Sequence, residues 1–149
     1  MSINVKIKLS RGMDAPTYAT QGSAAVDLRA ALEEDEVVTI APGARALIPT
    51  GLSISPESSE YVAVIAARSG LGIKKGVSLS NGIGVIDSDY RGEIMVALYN
   101  QGETAQVIEQ GERIAQIVLT PYLRAEYEIA EELSDTARGA GGFGSTGRK

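Results

Sequence analysis

Residues 84–93, Gly-Val-Ile-Asp-Ser-Asp-Tyr-Arg-Gly-Glu, decide how the rest of the chain is interpreted. Residues 78–83 (Ser-Leu-Ser-Asn-Gly-Ile) precede them and residues 94–99 (Ile-Met-Val-Ala-Leu-Tyr) follow them. Apolar, mostly β-favouring runs on both sides of a polar cluster are typical of two strands joined at a tight connection. Because the pair Asn81-Gly82 precedes the polar cluster, we predict a β-hairpin with a long or bulged tip. Taken alone, the polar cluster is explained most simply as a solvated turn, because Asp and Ser side chains hydrogen-bond to nearby backbone.

The remainder of the chain alternates short apolar runs with turn residues. Strands are predicted at residues 3–9, 24–30, 37–40, 45–48, 52–54, 61–66, 77–79, 104–108, 113–119 and 126–130. One short helical turn is predicted, with Ser69 as its N-cap and Gly76 at its C-terminal end. Short strands without a strand–helix–strand rhythm predict an all-β sandwich or barrel and argue against an open dinucleotide-binding sheet.

The composition limits the chemistry that the chain can perform. The 149 residues include no cysteine and no histidine, which excludes disulfides, thiolate metal sites and the Ser-His-Asp and Cys-His nucleophile pairs. Catalysis must therefore use carboxylates, hydroxyls, basic side chains, backbone amides or a hard cation held by oxygen. The net charge of −5 offers no basic footprint for nucleic acid, and no apolar run is long enough for a membrane span. We expect a soluble, cytoplasmic protein of globular composition that binds neither nucleic acid nor membranes.

The last twelve residues, 138–149, differ in character from everything before them. They contain five glycines and no aliphatic residue larger than alanine, so they form no core, and a disordered tail is the simple interpretation. Phe143, the only phenylalanine of the chain, instead suggests a flap that orders over a flat ligand. We therefore divide the chain into a core at residues 1–137 and a flexible, Gly-rich arm at 138–149.

Five segments resemble, in order and spacing, the five motifs of the trimeric dUTPases, which hydrolyse dUTP to dUMP and pyrophosphate. They are residues 24–30 (AAVDLRA), 68–76 (RSGLGIKKG), 81–100 (NGIGVIDSDYRGEIMVALYN), 111–119 (GERIAQIVL) and 138–147 (RGAGGFGSTG). The resemblance implies a jelly-roll-like β fold with one short helix, Mg²⁺ as cofactor and dUTP as substrate. It further implies a homotrimer with shared active sites, in which the arm of one subunit closes a neighbour's site. The implied cellular role is to limit uracil in DNA and to supply dUMP for dTMP synthesis.

The resemblance also implies catalytic and metal-binding roles for particular residues. Asp87 would orient and deprotonate the water that attacks the α-phosphorus, since carboxylates are ordinarily ionised at pH 7 and accept a proton without a histidine. Gln116 would help to hold the water and the phosphates, and Arg138 would stabilise phosphate charge when the arm closes. Asp27 would contact the hydration shell of Mg²⁺, which commonly keeps several waters and binds through substrate phosphates.

A second set of implied roles concerns substrate binding. Tyr90 would pack against the deoxyribose and leave no room for a 2′-hydroxyl, which would reject UTP. Phe143 would stack over uracil, while Asn81 and Gly84 would hydrogen-bond the edge of the base. The remaining implied substrate-binding residues are Arg68, Ser69, Gly70, Ser145 and Thr146 at the phosphates, together with Met95.

Simpler interpretations stay open for several of these residues. Asp27 fits a satisfied core carboxylate, Tyr90 hairpin packing, Ser69 a helix cap, and Gln116 the outward residue of a strand.

Two other functions are also compatible with the pattern. One is a dCTP deaminase or bifunctional deaminase–dUTPase of the same fold, and the other is a non-catalytic nucleotide-binding regulator. Deaminases of this fold typically carry a second serine where Gly70 stands, and their third motif differs from the Asp-Tyr-Arg-Gly at residues 89–92, which argues against the deaminase. A zinc-dependent deaminase is excluded by the missing His and Cys.

Overall fold

The computed structural model describes residues 2–142, and within them it contains eleven strands and one short helix. The strands are β1 Val5–Leu9, β2 Val26–Arg29, β3 Val37–Ile40, β4 Arg45–Pro49, β5 Leu52–Pro56, β6 Tyr61–Ala66, β7 Val77–Leu79, β8 Gly84–Ile86, β9 Met95–Asn100, β10 Gln106–Glu109 and β11 Arg113–Pro121. The helix, α1, spans Ser69–Lys75. The prediction of an all-β chain with one short helix is confirmed. No helix in this part of the chain has the length and apolar character needed to cross a bilayer.

Antiparallel pairs build four sheets from these strands. The largest has the order β2-β11-β6-β8, and a second has the order β4-β9-β7. Two further pairs, β1-β5 and β3-β10, complete the arrangement. Most of the pairings join strands that are distant in the chain, because a sheet that covers a core on one face takes whichever strand presents a matching apolar face.

The core lies where apolar residues of alternate strand positions meet. On β9, Val96 and Leu98 are buried while their neighbours are more exposed, which is the two-residue period of a half-buried strand. Ile48 on β4 and Ile114 on β11 are equally inaccessible. Thr50 and Asn100 are the buried polar residues of the described chain, and the Asn100 amide nitrogen donates to the carbonyl oxygens of Ile40 and Thr104, each at 2.8 Å. Its hydrogen bonds satisfy a buried amide that would otherwise destabilise the fold.

Helix α1 follows β6 almost directly and ends at a glycine, as predicted. Gly76 has φ 67°, and its Cα lies so close to the next loop that an added Cβ would stand 2.8 Å from the Gly102 nitrogen. The prediction that Ser69 caps the helix is wrong. Arg68 occupies the N-cap position with extended backbone, and no side chain caps the helix, because Ser69 is already its first helical residue.

The hairpin predicted around residues 84–93 is confirmed in its two outer strands, because β7 and β9 pair antiparallel with Leu79 opposite Leu98. Its tip is longer than a turn and contains β8, which pairs with β6 in the large sheet, so β8 and β9 belong to different sheets. The connection between them crosses from one sheet to the other. Its end is fastened to the β4–β5 turn, because Ile94 N–H donates to Leu52 O at 2.8 Å and the Thr50 hydroxyl donates to Ile94 O at 2.6 Å.

The strand predicted at residues 126–130 does not form in the described protomer. Residues 122–142 contain neither helix nor strand, and Tyr127 and Ile129 are almost completely exposed. Strand backbone needs a hydrogen-bonding partner, and none of residues 2–142 supplies one to this segment. The strand predicted at residues 104–108 is displaced slightly, to Gln106–Glu109.

Candidate functional site

A first group of predicted site residues meets at one end of the large sheet. Asp27 on β2 lies opposite Gln116 on β11, and Gln116 lies opposite Ala66 at the end of β6. Arg68 follows β6 by two residues, and its Nε contacts Asp27 Oδ1 at 2.7 Å. The second carboxylate oxygen, Oδ2, contacts Nη1 of Arg113 at 3.3 Å. Asp27, Arg68, Arg113 and Gln116 form what we call the arginine–aspartate cluster.

The contacts of the arginine–aspartate cluster decide between the alternative interpretations of Asp27 and of Gln116. The Asp27 side chain is 25% exposed and paired with two guanidinium groups, so it is not a carboxylate of the core. Gln116 Nε2 donates to the carbonyl of Ala67 at 2.9 Å, so Gln116 holds the backbone just before Arg68 and is not merely an outward strand residue. Both side chains position the Arg68 guanidinium at the sheet end.

Arg113 is not among the residues that the sequence predicts for the site. Its Nη1 reaches Asp27, and its carbonyl accepts a hydrogen bond from Arg68 Nη1 at 3.2 Å. The register of β11 against β2 shifts between Arg113 and Ala115, an irregularity at the start of β11 where Arg113 contacts Asp27. Asp27 and Arg113 are 86 positions apart, so sequence patterns do not predict their contact. The only available signal was that Arg113 lies inside the 111–119 motif segment.

A cleft that Arg29 and Arg113 help to line, together with the start of α1, supplies anion-binding donors next to the arginine–aspartate cluster. The cleft, of about 550 Å³, opens between the loop at residues 12–19, Asp27, Arg29 and Arg113. Ser69 and Gly70 are exposed at the start of α1, whose first turn carries no acidic residue. Guanidinium groups with free faces, a hydroxyl and backbone amides are the donors that bind phosphate.

A second group of predicted residues lies in the 87–93 loop, between β8 and β9. Asp87 is exposed, and its carbonyl accepts a hydrogen bond from Tyr90 N–H at 3.1 Å. Arg91 Nη1 donates to the carbonyls of Ser88 at 2.7 Å and Tyr90 at 2.9 Å, which closes the loop on itself. The Tyr90 ring folds back over Gly92, and its hydroxyl donates to Glu93 O at 3.0 Å. Tyr90 as a whole is 44% exposed.

The residues assigned to the base flank this loop. Asn81 is exposed in the turn after β7, and Met95, 37% exposed, begins β9. Gly84 is buried on β8 opposite Ile65, where an added Cβ would stand 3.0 Å from the Ile65 Cβ. Glycine at this position lets β8 lie close against β6.

The two groups do not meet within one protomer. Asp27 lies level with Ala66 of β6 across the sheet, whereas Ile86 of β8 lies opposite Ala63, three residues earlier on β6. Asp87 follows Ile86 and lies one residue further from the level of Asp27. β2 and β8 are also the two outer strands of a four-stranded sheet. With about 3.3 Å per residue along a strand and about 4.8 Å between strands, Asp87 lies roughly 15–20 Å from Asp27. One triphosphate cannot contact both residues of the same chain.

Of the site residues predicted in the arm, only Arg138 lies within the described part of the chain. Arg138 is exposed, and its Nε donates to Gly141 O at 3.0 Å, so within the described chain it contacts neither group of site residues. Phe143, Ser145 and Thr146 lie outside the described residues, and their assignments stay predictions.

A divalent cation would find few clustered oxygen ligands among the described side chains. No group of three or more Asp or Glu side chains comes together anywhere in residues 2–142, so this region builds no all-protein cage for a metal ion. Asp27 keeps lone pairs on both oxygens besides its two arginine contacts, and one carboxylate beside an anion-binding cleft fits Mg²⁺ that is held mainly by phosphate and water. The residues therefore fit the implied ion as an outer contact only.

Comparison with known proteins identifies the family of the chain. A dUTPase family model matches residues 11–147. The deoxyuridine 5′-triphosphate nucleotidohydrolase of Klebsiella pneumoniae (strain 342) is 51% identical over 150 residues, covering 99% of this chain and 97% of the relative. The enzyme of the same name from Paraburkholderia phytofirmans is 49% identical over 149 residues, covering 99% of each.

A solved dUTPase structure has the same fold as this chain. The Staphylococcus bacteriophage 80alpha dUTPase G164S mutant with dUpNHpp superposes with a TM-score of 0.85 at 27% identity, covering 97% of this chain and 98% of that one. The likeness confirms the jelly-roll-like all-β fold. The chain therefore belongs to the dUTPase family, whose members are hydrolases of deoxyuridine triphosphate.

Proposed function

We propose that this dUTPase hydrolyses dUTP to dUMP and pyrophosphate by attack of a water molecule on the α-phosphorus, with Asp87 as the general base. The observation that carries the proposal is the arginine–aspartate cluster, which presents an anion site in a chain that matches the dUTPase model over residues 11–147. The 80alpha phage dUTPase has been solved with dUpNHpp, which supports dUTP as the substrate here. In the cell this reaction would limit uracil in DNA and supply dUMP.

Asp87 has the exposure and the freedom that the proposed step requires. Its carboxylate is on the solvent side of the 87–93 loop, and no ion pair joins it to another described residue. The loop backbone is held by Arg91, so the carboxylate is presented from a fixed base. The water loses its proton to Asp87 as its oxygen bonds to the α-phosphorus, and the bond to the bridging oxygen of the pyrophosphate leaving group breaks.

The phosphates would be bound at the other end of the sheet. Arg68 is held against Asp27 and Arg113, with Gln116 fixing the backbone before it, so little side-chain freedom remains to be lost on binding. The exposed Ser69 and Gly70 would add a hydroxyl and backbone amides. Mg²⁺, when bound, would neutralise part of the triphosphate charge, and Asp27 would hold a water of its shell.

We further propose that each active site combines residues of different subunits of a homotrimer. The support is the separation of roughly 15–20 Å between Asp87 and the arginine–aspartate cluster of the same chain, worked from strand spacings. A neighbour's 87–93 loop placed over this cluster would bring the general base to the phosphates. The arm at residues 138–149 would close the assembled site, with Arg138, Ser145 and Thr146 at the phosphates and Phe143 over uracil.

Subunit mixing tests the shared site directly. Arg68→Ala and Asp87→Asn enzymes should each be nearly inactive, whereas trimers refolded from an equal mixture should regain activity at about a quarter of their sites, since each site draws the two residues independently. Mixing either variant with itself is the control. If the mixed trimers stay as inactive as their parents, Asp87 and Arg68 act within one chain and the proposed assembly is wrong.

Base and sugar selection are assigned to the loop between β7 and β9. Asn81 and the backbone near Gly84 would hydrogen-bond uracil, Met95 would line the same pocket, and Tyr90 would lie against the deoxyribose. Pyrophosphate release measured with dUTP, UTP, dCTP and dTTP, with and without Mg²⁺, tests the whole proposal. Rapid release from dUTP alone is expected. Ammonia release from dCTP would instead identify a deaminase, and protection of the arm from trypsin by dUTP without turnover would identify a regulator.

A further inference from the structure

The end of the 87–93 loop is held by a side chain to which the proposed mechanism gives no role. Glu93 Oε1 accepts a hydrogen bond from Gly51 N–H at 2.7 Å and contacts Arg11 Nε at 3.3 Å. The Glu93 side chain is only 27% exposed, and Arg11 is 39% exposed. One carboxylate oxygen therefore joins three segments that are distant in the chain.

The three segments are shaped for this contact. Arg11 has φ 54° and Gly51 has φ 65°, and only glycine adopts such backbone readily. At Gly51 an added Cβ would stand 2.7 Å from both Met13 Cγ and Ser10 O, so the turn is also closed to any larger residue. Backbone in an unfavourable region persists when surrounding contacts hold it there. Here Glu93 supplies two of those contacts, and the hydrogen bond from Ser10 N–H to Gly51 O at 2.8 Å is another.

The backbone of Glu93 is the support of the Tyr90 ring. The Tyr90 hydroxyl donates to the Glu93 carbonyl at 3.0 Å, and the ring crosses Gly92 to reach it. The same segment continues into Ile94, which is fastened to Thr50 and Leu52. Movement of Glu93 would therefore shift the acceptor to which the phenol is tied, while the buried part of the connection stayed in place.

We propose that Glu93 is a positioning residue for sugar selection, and that the Arg11–Glu93–Gly51 contact sets where the Tyr90 ring lies. The inference rests on the proposed role of Tyr90 against the deoxyribose. Loss of the Glu93 carboxylate lets the ring tilt and admits a 2′-hydroxyl. A carboxylate that only stabilised the fold would change turnover of dUTP and UTP by the same factor, so the ratio of kcat/KM for dUTP to kcat/KM for UTP isolates the effect.

The test compares five variants with the unmodified enzyme by that ratio. Glu93→Ala should lower it about tenfold, which corresponds to the loss of about one hydrogen bond. Glu93→Gln keeps an oxygen for Gly51 N–H and should preserve most of the ratio, while Arg11→Ala should lower it by about two- to threefold. Glu57→Ala removes an exposed carboxylate elsewhere and should leave the ratio unchanged.

Each outcome decides the proposal. An unchanged ratio in folded Glu93→Ala would overturn it, as would an equal fall in Glu57→Ala. If Glu93→Ala does not fold, as judged by circular dichroism, Arg11→Ala decides instead, and an unchanged ratio there overturns the proposal. Tyr90→Ala separates this inference from its premise: if that variant keeps the full ratio, Tyr90 does not select the sugar and the proposed function is at fault. If Tyr90→Ala loses the ratio and the Glu93 variants keep it, only the positioning role fails.

Discussion

Replacing Asp27 with asparagine removes the charge that holds Arg68 and Arg113 at the sheet end. The contact to Arg68 Nε, at 2.7 Å with both side chains 25% exposed, is the stronger of the two, because Arg113 is 49% exposed. A hydrogen bond to a charged partner contributes about 1.5–3 kcal/mol and a neutral one about 0.5–1.5 kcal/mol, so asparagine, which keeps an oxygen for Arg68 Nε, loses about 1 kcal/mol. The Arg113 contact, screened by solvent, adds about 0–1 kcal/mol.

A second effect of the same substitution has the opposite sign. A phosphate bound by Arg68 would lie roughly 6 Å from the Asp27 carboxylate, and removing that repulsion favours binding by about 0.7 kcal/mol at the dielectric constant of water. The lost positioning exceeds this gain by about 1 kcal/mol, which predicts an affinity about fivefold weaker. The loss should occur with and without Mg²⁺, because the arginines, not the metal, are released.

The assay is calorimetric titration of the intact enzyme with dUpNHpp, in EDTA and again with Mg²⁺. Asp14→Asn is the matched control, since Asp14 is an exposed carboxylate lining the same cleft, with no ion pair to a described residue. Unchanged or tighter binding by Asp27→Asn in EDTA, with a defect only in Mg²⁺, would refute this reasoning. Asp27 would then act through the metal shell and not through Arg68.

Three further outcomes are expected. Asp87→Asn should keep dUpNHpp affinity within about twofold and lose most turnover, and an equal loss of binding would count against a general base. Gly76→Ala should lower the free energy of unfolding by about 2 kcal/mol or more, because positive φ and the Gly102 backbone both oppose the methyl group. Gly43→Ala, at φ 73° with no atom within 4 Å, should lose only about 1 kcal/mol in the same denaturant titration, and equal losses would mean that the close approach at Gly76 is unimportant. Deleting residues 138–149 should leave the unfolding transition intact while activity falls strongly, and unchanged kinetics would reduce the arm to a tail.

Local features of the fold were determined by the sequence itself. Alternating apolar residues placed most strands within one or two residues, and a glycine of positive φ was correctly placed at the end of α1. These features depend on residues close in the chain, where backbone conformation and two-residue periodicity act directly. The family, too, was apparent from five ordered segments, because their identities and spacing are written in the chain.

Tertiary structure alone decided which strands meet and which side chains pair. Periodicity states which face of a strand is buried but not which strand lies beside it. The runs on either side of residues 84–93 therefore indicated the pairing of β7 with β9, but not that residues 84–86 between them form a strand that joins β6 in another sheet. For the same reason the sequence indicated neither the contact of Asp27 with Arg113 nor that of Glu93 with Arg11. Contacts between residues more than 80 positions apart arise only when the sheets close around a common core, and the function proposed here depends on those contacts.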